Sequence, residues 1–270
     1  MNLRLVEALR SHWPEYLCEA GGLGIFMFTT CVFTVLLEHP MSRVHELITS
    51  AFVRRAIAGV ALGATLLAIY YSPMGKRSGA HLNPAFTINF ALLGKVKPAD
   101  TLFYVMFQIL GGTTGVLVAW VLTGMALENT EVNFAVTAPG PRGPFIAFVA
   151  ELLISFGLMF TVLVTANTPR LTMKTPWFAA ALVAAYVTWE KPLSGMSLNP
   201  ARTLASAIPA RYAPDLWVYL TAPLLGMFLA AQLYRLLFGM HSIYCVKLNH
   251  HNRGKCIFRC RYAELSEPRS

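Results

Sequence analysis

One ten-residue stretch occurs twice in a chain of 270 residues that is otherwise mostly apolar. Residues 78–87 read SGAHLNPAFT and residues 194–203 read SGMSLNPART, with seven of ten positions identical. Such self-similarity marks a duplicated structural unit. Upstream of each copy an apolar run opens on a glutamate, Glu19 in CEAGGLGIFMF and Glu151 in AELLISFGLMF. The chain therefore reads as two halves built alike.

Composition supplies the solvent. Hydrophobic residues make up 56% of the chain and charged residues 13%, where a soluble domain carries about 25% charged. That excludes an ordinary soluble enzyme and a disordered protein, and five cysteines are too few for a disulfide scaffold. A membrane-crossing helix needs about 20 mostly apolar residues. Six segments are predicted to cross: 17–38, 52–72, 100–124, 144–166, 174–190 and 214–238. The first run is too long for a signal-peptide core and no A-x-A-like site follows it, so it reads as a retained helix. The stretch 125–143, ending in PGPRG, is a loop.

Each half holds three spans, an odd number. The second half must then enter the membrane inverted relative to the first, with a functional site expected at the midplane between them. The fold class that follows is an all-α membrane protein of six transmembrane helices plus two re-entrant half-helices, an inverted repeat of two three-helix halves. Asn83 and Asn199 suit helix N-caps, and Pro84 and Pro200 suit the first helical position, followed by Ala85 and Ala201. The apolar stretches 86–94 and 202–208 are too short to span, so these half-helices must be re-entrant and lined by protein. Their positive dipole ends would meet at the centre, repelling cations and protons. The asparagine NH2 groups would offer donors to a neutral solute.

Lys and Arg set the orientation. Fifteen of the 22 fall on the side that holds both termini, which places the termini in the cytoplasm of a multi-pass inner or plasma membrane protein. The +9 net charge is thereby explained by loops and tail, and no nucleic-acid motif accompanies it.

At the two NPA boxes, their flanks, the paired glutamates, the QILGG stretch at 108–112 and Arg202, the chain resembles the major intrinsic proteins, the aquaporins and aquaglyceroporins. The resemblance covers about residues 15–240. It implies a pore in each protomer, a homotetramer and no cofactor. The chain then divides into an N-terminal segment 1–16, a channel domain 17–240 with halves 17–124 and 144–238, and a basic cytoplasmic tail 241–270.

The resemblance also assigns residues. Arg202, a charge inside a membrane half-helix, is the arginine of the outer constriction. Met196 and Val187 take two further filter positions, and the fourth is Leu62 or Gly63. Glu19 and Glu151 are structural braces, with a proton relay as the other reading, and His81 joins them as a hydrogen-bonded loop residue beside the first box, with a pH gate as its other reading. Gly111, Gly112 and Gly115, with Gly226 and Ala230, suit close helix packing.

Strict water channels of the family carry His at the Val187 position and usually Phe at the second-span one. A filter of Leu or Gly, Val and Met around one Arg is wider and less polar. Thr203 and Ala207 stand where glycerol facilitators have Asp and Lys, and Tyr219 and Leu220 also depart from their pattern. The closest likeness is to the nodulin-26-like subgroup and its bacterial relatives, which pass polyols and metalloid hydroxides. The expectation is a passive channel, not an enzyme, for a small uncharged solute larger than water, with some water. The alternatives are a water-selective aquaporin and a proton-coupled transporter.

Residues 245–260 read CVKLNHHNRGKCIFRC. Cys245, His250, His251, Cys256 and Cys260 are metal-ligand types, but their spacing is no familiar zinc signature. A basic segment lying on lipid headgroups through Ile257 and Phe258 is the favoured reading, with metal or redox binding beside it.

Overall fold

The computed structural model describes residues 3–250 and 256–266. Among these no strand occurs, and eight helices form the frame. They are α1 (Leu3–Glu38), α2 (Ala51–Tyr71), α3 (Pro84–Leu92), α4 (Pro98–Thr123), α5 (Pro144–Ala166), α6 (Thr175–Trp189), α7 (Pro200–Ala210) and α8 (Leu216–Phe238). Helices α3 and α7 are the two half-helices, and the order long–long–half–long repeats.

Among the described residues, five helices are long and apolar enough to cross a membrane. The remaining span expected at 174–190 is shorter. Helix α6 has 15 residues, about 22 Å at 1.5 Å per residue. Pro176 opens it, and a turn at Thr172–Lys174 and a short helix at Lys191–Ser194 extend it at either end. Helix α1 departs the other way. It begins at Leu3 and runs through the residues expected to precede the span, with Pro14 inside it. Polar contacts hold this extension: Glu15 pairs with Arg77 at 3.0 Å, and Tyr16 and His12 both reach Asp100, at 2.6 and 2.7 Å.

The two halves pack symmetrically. Helix α1 lies along α4, α5 lies along α8, and α2 meets α6 across the halves. Small residues set these approaches. A Cβ at Gly115 would sit 2.1 Å from the Gly24 carbonyl oxygen, and one at Gly226 would sit 2.3 Å from that of Leu152. No larger residue fits either position while the backbones stay this close.

Large apolar side chains such as Val121, Leu122 and Leu236 face outward, as lipid solvent allows. The interior keeps polar groups on the repeat axis. Glu19 and Glu151 are fully buried, as expected for intramembrane carboxylates, and Glu15 and Glu190 are buried as well.

Candidate pore and its terminal mouth

The two NPA segments are built alike down to the backbone. Asn83 and Asn199 are extended N-caps whose Oδ1 atoms accept from the Ala85 N–H at 2.8 Å and the Ala201 N–H at 3.0 Å. Pro84 and Pro200 occupy the first helical position, where no N–H is missed. The half-helices leave from the centre toward opposite faces.

Each lead-in loop alternates through left-handed backbone. In the first copy Gly79, Ala80 and Leu82 have φ of 94°, 52° and 50°; in the second Gly195, Met196 and Leu198 have 81°, 57° and 60°. Four of these six residues carry a side chain, and left-handed backbone costs such a residue about 1–3 kcal/mol. Something must hold it.

The buried glutamates do so. Glu19 accepts the His81 N–H at 3.0 Å, the Leu82 N–H at 2.6 Å and the Gln108 side-chain amide at 2.8 Å. Glu151 accepts the Ser197 N–H at 2.6 Å, the Leu198 N–H at 2.7 Å and the Ser194 hydroxyl at 2.8 Å. Four loop N–H groups and two side-chain donors are thus met by two carboxyl groups. A tyrosine completes each copy. The Tyr104 hydroxyl donates to the Ser78 carbonyl at 2.7 Å, and that of Tyr219 to the Ser194 carbonyl at 2.6 Å. Sequence reading missed this pair. It took Tyr219 only as a departure from a glycerol-facilitator pattern, and the recurrence of Tyr about 25 residues after each SG was the available signal.

The two asparagines also tie the halves together. Asn83 Nδ2 donates to the Leu198 carbonyl at 2.8 Å, and Asn199 Nδ2 donates to the Leu82 carbonyl at 2.7 Å. One of the two protons on each amide is taken by the opposite loop, which leaves one per asparagine for the lumen. Two such bonds contribute about 1 kcal/mol each and fix the meeting point.

A cavity of about 300 Å³ runs past this point. Both asparagines line it, with Phe86 and Leu158 nearby. One stripe of α2 faces it at every fourth residue: Ala58, Leu62, Leu66 and Tyr70. Toward the face away from the termini it is lined by Arg202, Met196, Val187 and Leu62 together. Gly63 is not among the lining residues. A Cβ there would meet the Ala180 carbonyl at 2.9 Å and Ala184 at 3.1 Å, so this glycine serves the α2–α6 contact. Arg202 is buried and its guanidinium donates to the Thr137 hydroxyl.

Toward the terminal face the lining ends at Tyr70 and His81. His81 Nε2 donates to the Val246 carbonyl at 3.0 Å, its Nδ1 lies 3.2 Å from the Thr87 hydroxyl, and its ring stacks on Phe258 at 5.0 Å and 12°. The C-terminal segment is therefore folded onto the protein. Phe258 is buried beside His81 and Tyr104, so the headgroup-facing role expected for it does not hold. An aromatic slot on the protein buries that ring fully, which a lipid surface would not.

The same fold gathers four of the five tail candidates. One ligand atom each from Cys245, His250, Cys256 and Cys260 lies within 4.8 Å of all the others. His251 falls outside the described residues. Hydrogen bonds from Cys245 and Cys256 hold the Cys260 thiol far below its ordinary range. Burial alone would lower His250, but its hydrogen bonds with Cys256 and Cys260 outweigh it and push it up to about 9.

Comparison with known proteins agrees with this architecture. The family model described as Major intrinsic protein matches residues 7–234. A probable aquaporin NIP7-1 of Arabidopsis thaliana is 30% identical over 221 residues, covering 81% of this chain and 74% of the relative. Aquaporin NIP3-1 of Oryza sativa subsp. japonica is 35% identical over 190 residues, covering 68% and 57%. A probable aquaporin TIP2-2 of the same plant is 32% identical over 170 residues, covering 61% and 66%. The chain thus spans less than two thirds of the length of the latter two. Among solved structures, the aquaglyceroporin from Plasmodium falciparum superposes with a TM-score of 0.70 at 21% identity, covering 83% of this chain and 96% of that one. That likeness shows the fold.

Proposed function

Because the chain belongs to the major intrinsic protein family, whose members are channels and not enzymes, we propose that it is a passive transmembrane channel for small uncharged solutes larger than water. Glycerol-like polyols and metalloid hydroxides are the solute class, with some water passing alongside. The observation that carries this is the lining beyond the asparagines. Three apolar side chains, Leu62, Val187 and Met196, share one stretch of cavity with Arg202, and Lys191 also lines the cavity. No histidine or aromatic ring stands at the Val187 and Leu62 positions to narrow it or to grip water.

Each element has a physical task in this reading. Arg202 repels cations and donates hydrogen bonds to a passing hydroxyl. The remaining amide proton of Asn83 and of Asn199 replaces hydration at the midplane. The converging N-termini of α3 and α7 add positive potential where a proton wire would otherwise form. Glu19 and Glu151 are braces, since every bond they make goes to loop or neighbouring donors. Residues 17–240 form the channel and 241–270 the tail. Both termini lie in the cytoplasm of the cell membrane, supported by the distribution of basic residues, and the protomer assembles as a homotetramer as its family does.

The test is a permeability panel in proteoliposomes: water, glycerol, urea, boric acid and arsenous acid, on wild type and Val187→His. Solute uptake above empty vesicles is expected, with the histidine variant shifted toward water. Rapid osmotic water flow with no uptake of any solute would instead establish a water-selective channel. Accumulation driven by a pH gradient would establish a coupled transporter.

A further inference from the structure

We propose that Cys245, His250, Cys256 and Cys260 form a zinc site that fastens the C-terminal segment over the terminal mouth of the pore. The pore-closing part rests on the channel reading; the metal site does not.

The segment is unusual as a fold. Among its described residues, 243–250 and 256–261 contain no helix or strand. Yet Ile243, Cys245, Val246, Lys247, Leu248, Asn249 and Phe258 are all buried. A stretch without its own backbone ladder gains little from local cooperativity, and short structures of this kind are commonly held by a metal or a disulfide. The four ligand atoms supply such a cross-link, joining one arm, 245–250, to the other, 256–260.

Their geometry suits a tetrahedral ion. With Zn–S about 2.3 Å and Zn–N about 2.0–2.1 Å, the edges of the tetrahedron are roughly 3.5–3.8 Å. Cys245 Sγ and Cys256 Sγ lie 3.9 Å apart, His250 Nε2 lies 3.0 Å from Cys260 Sγ, and no pair of the four exceeds 4.8 Å, so shifts of up to about 1 Å complete the site. Three thiolates and an imidazole select zinc over magnesium or calcium, which want oxygen. The surroundings support the ligands. The Tyr262 N–H donates to Cys260 Sγ at 3.4 Å, and the His250 ring is stacked on Tyr262 at 4.1 Å. Lys95 stands close enough to Cys245 and Cys260 to offset part of the net negative charge of a zinc held by three thiolates. Cys245 is buried and the other three are half-buried, so the ion is sheltered but reachable from solvent. On a cytoplasmic face the thiols stay reduced, which favours a metal over a disulfide.

The position of the segment gives the site a consequence. Cavity-lining residues end at Tyr70 and His81, and the segment packs on both. The Asn249 amide donates to the Tyr70 carbonyl at 3.2 Å, Val246 and Phe258 cover His81, and the Leu248 N–H donates to the Gly79 carbonyl at 3.1 Å. Lys247 Nζ donates to the carbonyls of Lys76 and Arg77 at 2.9 and 3.0 Å, closing the end of the short helix before the first box. Cys245 and Phe258 belong to the two arms that the metal ties together, so loss of the ion frees both from the mouth.

The test uses the full chain, purified in detergent through a tag without histidine. Elemental analysis should find one zinc per chain, lost in Cys256→Ser and Cys260→Ser, with folding of the variants checked by circular dichroism and gel filtration. The chelator-stripped wild type reloaded with cobalt should show thiolate charge-transfer and tetrahedral ligand-field bands. Absence of both zinc and cobalt bands in the wild type, or a Cys245–Cys256 disulfide mapped in its place, overturns the site. In proteoliposomes, stripping the zinc should raise glycerol permeability several-fold, and readdition should restore the low rate. Equal flux with and without zinc overturns the closure while the metal count still stands. No flux of any solute in either state, where the purified chain carries one zinc before stripping, overturns the channel reading and leaves the site.

Discussion

Replacing Glu151 by leucine separates a brace from a proton carrier. The substitution keeps similar bulk and removes both carboxyl oxygens on which the second NPA loop is braced. Three donors lose their partner: the N–H groups of Ser197 and Leu198 and the Ser194 hydroxyl. A buried donor left unmet costs about 1–3 kcal/mol, so the ceiling is about 3–9 kcal/mol. Ser197 and Leu198 also line the cavity, and water there can take up part of the loss. The expected destabilisation is therefore at the low end, about 3 kcal/mol, or about 6–12 °C in melting temperature for a chain of this size. Glu151→Gln keeps one accepting oxygen and should fall between. Glu46→Gln, an exposed change, is the control. Thermal unfolding in one detergent reads all three, and proteoliposome flux reads their function. The brace reading is refuted if Glu151→Leu melts within the spread of the control. It is also refuted if Glu151→Gln keeps its stability yet abolishes a pH-dependent component of flux.

Three further outcomes follow from the same geometry. Tyr219→Phe and Tyr104→Phe each remove one bond to a buried carbonyl and should each lower stability by about 1–1.5 kcal/mol, read by the same melting assay; a large difference between the two would break the symmetry argument. Gly115→Leu places atoms where the Gly24 carbonyl already is, so α1 and α4 must part, and the expected result is loss of folded protein on gel filtration, whereas Gly94→Ala meets nothing within 4 Å and bears only the strain of a left-handed φ of 70°, about 1–2 kcal/mol, and should be recovered folded. Arg202→Val removes the guanidinium beside Leu62, Val187 and Met196 and should raise glycerol uptake several-fold and admit alkali cations, measured as conductance in planar bilayers; unchanged cation exclusion would move that task to the midplane dipoles or to Lys191, which also lines the cavity.

The inverted architecture was legible because it is written in local pattern. Two copies of SG-x-x-LNPA, a glutamate ahead of each, and three apolar runs per half determine the half-helices, their caps and their opposite directions. Those features depend on residues near one another in the chain, where hydropathy and capping chemistry act directly. The choice between Leu62 and Gly63 was different. The two are adjacent, and only the packing of α2 on α6 turns Leu62 to the cavity and spends Gly63 on the helix contact.

The same holds for the crossed bonds of Asn83 and Asn199. Each links residues more than a hundred positions apart, and no periodicity encodes which carbonyl an amide will meet. The tail carries the contrast furthest. By itself the sequence determined that Cys245, His250, Cys256 and Cys260 are ligand types with an unfamiliar spacing. Only the tertiary structure decided that they converge, because the slot beside His81 and Tyr104 that receives Phe258 is assembled from elements distant in the chain. Burial of that ring draws one arm of the segment onto the other, and the four donors meet as a result.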